Sequence, residues 1–85
     1  MARVEIYTKA FCGYCARAKR LLDDRGANYE EFEISSDSGK RSEMLARANG
    51  RTTVPQVFIG GRHVGGSDDL QALDREGQLE AMLAT

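Results

Sequence analysis

Arg3-Val4-Glu5-Ile6-Tyr7, then Thr8-Lys9-Ala10-Phe11, then Cys12-Gly13-Tyr14-Cys15 is the stretch on which the fold turns. Residues 3 to 7 alternate polar and apolar, as a strand does when Val4 and Ile6 share one face. From Tyr14 to Arg25 the small or apolar residues Tyr14, Cys15, Ala18, Leu21 and Leu22 fall at helical spacing, with charged residues between them. This predicts an amphipathic helix ending near Gly26. A strand feeding a helix through a short loop puts Cys12 at the helix start, beside unpaired backbone N–H groups and the positive end of the helix dipole, where ionised sulfur is favoured. Lys9, three residues upstream, adds positive charge. Cys15, one turn into the helix, is expected to be more buried and less acidic.

Downstream, Asn28 to Ile34 carries Tyr29, Phe32 and Ile34 among glutamates, which predicts a strand with one charged face at a sheet edge. Ser38 to Ala48 has Met44, Leu45 and Ala48 on one side and Gly50 beyond, as a second helix would. Gln56-Val57-Phe58-Ile59, Gly60-Gly61 and Arg62-His63-Val64 have the form of a hairpin whose two-residue turn needs positive φ; His63 is expected at its surface. Ser67 opens a last helical region, its hydroxyl read as the N-cap and Asp68 and Asp69 complementing the dipole. Leu70, Leu73, Leu79, Met82 and Leu83 supply its apolar face, interrupted at Gly77. The order strand, helix, strand, helix, hairpin, helix predicts one α/β domain over residues 1–85, with a mixed sheet flanked by helices on both faces.

Composition narrows the function. In 85 residues, twelve Lys or Arg against thirteen Asp or Glu give a net charge of −1. With no long run of either sign, this argues against a nucleic-acid or polybasic membrane surface. The N-terminus lacks the apolar core of a signal peptide, so a cytoplasmic location is expected, and a monomer with it. The two cysteines close too short a loop to act as a structural staple, because a cross-link stabilises mainly by restricting the unfolded chain. Zinc needs four ligands, and His63 is the one other soft or imidazole donor. The pair is therefore read as chemical. An acidic Cys12 gains little net attacking power, because thiolate nucleophilicity falls with basicity, but it leaves readily when a second thiol attacks its mixed disulfide.

Lys9-Ala10-Phe11-Cys12-Gly13-Tyr14-Cys15, Thr52-Thr53-Val54-Pro55-Gln56-Val57-Phe58-Ile59 and Val64-Gly65-Gly66-Ser67-Asp68-Asp69-Leu70, in this order and spacing, resemble the short bacterial dithiol glutaredoxins. The resemblance spans essentially the whole chain. It implies a thioredoxin fold with a four-stranded mixed sheet, and a thiol–disulfide oxidoreductase that uses glutathione to reduce protein–glutathione mixed disulfides and protein disulfides. Cys12 would be the nucleophile, and Cys15 would resolve the intermediate with protein disulfides. Pro55 would be the family's cis-proline, presenting the backbone of Val54 to the cysteinyl part of glutathione. Lys9 would meet the glycyl carboxylate with Thr53 beside it, Arg41 assisting. The helix start at Asp68 would take the γ-glutamyl carboxylate, Asp69 or Asp68 the ammonium group, and Tyr14 would flank the sulfur. Two rivals stand beside this. A thioredoxin-like reductant fits less well, since the chain has no tryptophan. A carrier of a [2Fe–2S] cluster, with Cys12 and glutathione as ligands in a dimer, is kept open by Gly13, where typical members have proline.

Overall fold

The two inner strands are those whose residues are all shielded from water. In the computed structural model, which describes residues 1–85, β1 (Val4–Thr8) is buried along its whole length. It is followed by α1 (Gly13–Asp24), β2 (Tyr29–Glu33), α2 (Ser38–Arg47), β3 (Gln56–Ile59), β4 (Arg62–Gly65), α3 (Ser67–Arg75) and α4 (Gln78–Ala84). The strands form one sheet in the order β2-β1-β3-β4. β1 runs parallel to β2, with Val4 beside Tyr29, and antiparallel to β3, with Val4 beside Ile59; β3 and β4 form the antiparallel hairpin. The expected mixed sheet and the edge position of β2 are both present.

Period-two alternation sends β1 side chains to opposite faces, and each face recruits its own helices. On one face Val4, Ile6, Val57 and Ile59 meet Ala18, Leu21 and Leu22 of α1, Leu70 of α3, and Leu79 and Leu83 of α4 in an aliphatic core. On the other, Tyr7 and Phe58 meet Ile34, Met44 and Ala48 under α2. Fully burying a side chain of this size contributes about 1.5–3 kcal/mol. The last helical region breaks where Gly77 adopts φ +75°, a left-handed conformation that glycine takes without penalty, so α3 and α4 can both pack on one face. No helix is long and apolar enough to cross a membrane.

Polar Glu5 is buried within β1, because Arg47 of α2 donates to both its carboxylate oxygens at 2.8 and 3.0 Å. Arg47 also donates to the Tyr7 hydroxyl at 2.8 Å and lies 4.1 Å over the Phe58 ring, so its charge is satisfied on every side. These hydrogen bonds hold the Glu5 carboxyl below its ordinary range, against the opposing effect of burial. Ser67, in turn, is not the N-cap of α3. Gly66 holds that position, its N–H donating to the Asp69 carboxylate at 2.9 Å, and Ser67 turns inward, with its hydroxyl buried and unpartnered.

Candidate active site

The helix start places one sulfur at the surface and one beneath it. Cys12 is the N-cap of α1, with extended backbone, and its Sγ accepts the N–H of Cys15 at 3.2 Å. Such a bond strengthens as sulfur gains negative charge. Sγ also lies 4.0 Å from the Val54 carbonyl oxygen, at the edge of contact with the loop before β3. Cys12 is half-buried and Cys15 only 2% exposed, and neither is in a disulfide. Burial, then the hydrogen bond to Cys12, pushes the Cys15 thiol up to about 12, opposed by a hydrogen bond from the Lys9 backbone. At neutral pH Cys15 is therefore a protonated reserve, and Cys12 is the sulfur that an incoming disulfide can reach.

A groove of about 230 Å³ opens beside this pair. Tyr14 and Arg51 flank it, Thr53, Val54 and Pro55 form one wall, and Gly66 to Asp69 at the start of α3 form the other. The Val54–Pro55 peptide is cis. Asp69 is held in place on the groove: besides the Gly66 N–H, its Oδ2 accepts from Arg51 Nη1 at 3.3 Å. Gly65, at φ +121°, allows this, since a Cβ there would collide with the Asp69 carboxylate and come within 3.0 Å of Arg51.

Of the residues singled out in the sequence, Tyr14, Thr53, Val54, Pro55, Asp68 and Asp69 all line the groove; Cys12 Sγ lies 4.0 Å from the Val54 carbonyl oxygen in its wall, and Cys15 is buried. Lys9 is exposed in the loop between β1 and α1, and Arg41 is exposed on α2; neither is among the lining residues. Two residues went unnoticed. Arg51 is a lone cation just before Thr52-Thr53-Val54-Pro55, a position that marked it as a neighbour of the loop. Phe11 is wholly exposed next to Cys12 and holds φ +57°, a left-handed conformation unusual for a bulky residue. Its signal was an aromatic that fits neither the strand nor the helix pattern.

Two free thiols at one helix start, with one reachable and the other withheld as an acid, are the working parts of a thiol–disulfide oxidoreductase. The sheet that carries them, with helices on both faces, is the thioredoxin fold. The glutaredoxin family model matches residues 4–64, and the chain belongs to the glutaredoxin family. It is 54% identical over 83 residues to glutaredoxin 3 of Escherichia coli strain K12, covering 98% of this chain and 99% of that one. Among solved structures it superposes on a buckwheat glutaredoxin–glutathione complex with a TM-score of 0.87 at 38% identity, covering 98% of this chain and 77% of the other. A structure described as "Metal Binding of Glutaredoxins" gives 0.75 at 53% identity, over 100% of this chain and 91% of that one.

Proposed function

We propose that this chain uses glutathione to reduce protein–glutathione mixed disulfides and protein disulfides. The observation that carries the reading is the groove beside Cys12, with a cation and carboxylates held across it by Arg51, Asp68 and Asp69. Glutathione is a zwitterionic tripeptide carrying two carboxylates and an ammonium group, so it calls for charges at fixed separations along an extended strand. The buckwheat relative was solved as its complex with glutathione, which supports the same ligand here.

In the first step the Cys12 thiolate attacks the glutathione sulfur of a mixed disulfide. The old S–S bond breaks, a new one forms, and the protein leaves as a thiolate that takes a proton from water. A second glutathione, as thiolate, then attacks the glutathione sulfur on Cys12; glutathione disulfide leaves and the Cys12 thiolate returns. With a protein disulfide, Cys15 instead attacks Cys12, giving up its proton as it does so, and leaves a Cys12–Cys15 disulfide that two glutathiones reduce. Val54 and the adjoining Thr53 and Pro55 offer backbone to the cysteinyl residue, and Tyr14 covers the sulfur. Lys9 and, across the loop, Arg41 attract the glycyl carboxylate. Asp69 or Asp68 takes the ammonium group, with Arg51 and the start of α3 facing the carboxylate beside it. A reducing cytoplasm and a monomeric state suit this cycle.

A second reading, as a carrier of a [2Fe–2S] cluster, rests on Gly13, which leaves the backbone at the start of α1 free to adapt around a ligand on Cys12, and is supported by the relative described as "Metal Binding of Glutaredoxins". Such clusters take four thiolates. Each chain offers one reachable sulfur, Cys12, so two chains and two glutathiones would hold it. Anaerobic reconstitution with iron, sulfide and glutathione tests this: visible absorption with a shift to dimer on gel filtration supports it, and a colourless monomer removes it. The principal reading is tested by turnover of a cysteine–glutathione mixed disulfide with excess glutathione. Turnover proportional to enzyme supports it, whereas reduction by a flavoprotein thioredoxin reductase alone overturns it.

A further inference from the structure

Gln56 is the polar residue in an otherwise apolar strand, Gln56-Val57-Phe58-Ile59, and it is 0% exposed. A buried amide must spend its hydrogen bonds on specific partners. The Nε2 group of Gln56 donates to the Thr53 carbonyl at 3.0 Å and to Thr53 Oγ1 at 3.2 Å. On its other side, Oε1 lies 2.7 Å from Nε2 of His63 on β4. The Thr53 carbonyl can only accept, so it fixes which end of the amide faces it; Oε1 must face His63, and His63 Nε2 must carry a hydrogen. The imidazole is itself braced, stacked on Phe58 with ring centres 5.0 Å apart and 27° between planes. Its expected place at the hairpin surface is thus corrected to a half-buried position with a fixed partner.

The chain of bonds runs from the edge hairpin through the core strand to the segment that walls the groove, yet neither Gln56 nor His63 lines that groove. We propose that Gln56, braced by His63, is a positioning residue for substrate. By gripping both the carbonyl and the hydroxyl of Thr53, it holds the Thr53–Val54 backbone in the orientation against which the cysteinyl part of glutathione pairs. The inference rests on the glutathione reading given above and adds two residues that act through Thr53. Burial lowers the proton affinity of the imidazole; Arg51 lowers it further and Asp69 opposes them. The Nε2–H donor is present whether or not Nδ1 is protonated, so the brace does not depend on that proton.

Steady-state kinetics on a glutathionylated peptide, at saturating glutathione, test the inference with Gln56→Leu, His63→Phe and the double variant. His63→Phe keeps the stacking on Phe58 and removes only the donor. Losing hydrogen bonds of ordinary strength predicts a KM for the peptide raised roughly fivefold in Gln56→Leu, with kcat within about twofold. His63→Phe should shift KM the same way by less, and should add little to Gln56→Leu, because both remove one relay. Alkylation of Cys12 by iodoacetamide should proceed at the wild-type rate in all three. An unchanged KM in folded Gln56→Leu overturns the inference, as does a fall in melting temperature with KM unmoved, which is what a purely structural glutamine predicts. Should Gln56→Leu fail to fold, His63→Phe carries the test alone, and an unchanged KM there overturns it. Wild-type protein without glutathione-dependent turnover is a different result: it removes the parent reading, and this one with it.

Discussion

The two faces of the sheet are held by different physics. Under α1, α3 and α4 the contact is aliphatic, with eleven buried residues in one cluster. Under α2 it is a smaller cluster of five, with Tyr7 and Phe58 edge to face and Arg47 lying over Phe58 while bonded to Glu5. The first face is sensitive to volume, because a close-packed interior cannot heal a missing methyl group. The second is sensitive to charge. The groove belongs to one side as well: the cysteines ride on α1 and its far wall is the start of α3, whereas no residue of α2 lines it. Chemistry and the charged face should therefore separate under mutation.

The largest effect is expected at the helix start. Cys12→Ser should reduce both thiol-exchange activities to background, since a hydroxyl is not ionised near neutral pH, while the urea midpoint stays close to wild type. Cys15→Ser should spare deglutathionylation and lose protein-disulfide reduction; equal loss of both in folded protein would break the division of labour. Next come the faces themselves. Leu22→Ala, in the aliphatic core, should cost about 2–5 kcal/mol in urea denaturation. Arg47→Met should cost less, about 2 kcal/mol, because the buried Glu5 carboxylate loses its hydrogen-bonded partner but keeps Arg3 at 3.7 Å. Adding Glu5→Gln to Arg47→Met should recover part of that loss, whereas nothing on the charged face should rescue Leu22→Ala. Turnover per folded Arg47→Met molecule should match wild type, and a large drop would show that the Glu5–Arg47 pair acts on the site.

Smaller effects sharpen the contrast. Lys9→Ala should raise the glutathione concentration needed for half-maximal rate roughly tenfold, the loss of one charge-assisted contact, with no change in stability. On the charged face, acid should act through Glu5. Its carboxyl is held below its ordinary value in the folded state, so its contribution to stability is complete above the unfolded value and is lost as pH falls through the lower, folded one. Urea midpoints compared at pH about 7 and about 3 should fall more for wild type than for Glu5→Gln; equal falls would mean that other groups set the acid limit.

Much of this was legible in the residues. The strand–loop–helix run around Cys12, the hairpin at Gly60-Gly61 and the break at Gly77 were each written locally, in periodicity or in glycines that take positive φ. What could not be read depended on partners distant in the chain. The burial of Glu5 depends on Arg47, 42 positions away, which closes on it. Ser67 and Asp69 compete to cap the same helix. Local sequence permits either, and the choice falls to Asp69 because Gly65 makes room for its carboxylate. His63 looked superficial because the acceptor that fixes it, Gln56, lies across the hairpin.

The order β2-β1-β3-β4 leaves β2 as an open edge, with backbone groups available to any passing strand. Its sequence, Tyr29-Glu30-Glu31-Phe32-Glu33, determines what can follow from that. Two copies meeting edge to edge along β2 would bring rows of carboxylates together, and like charges facing across strands repel. The same glutamates are tied inward within the chain, Glu30 to Arg3 and Glu31 to Thr8 and Lys19. The edge is thereby guarded against fibrillar growth, and a neutralised β2, with glutamine at 30, 31 and 33, is where self-association of the folded chain should begin.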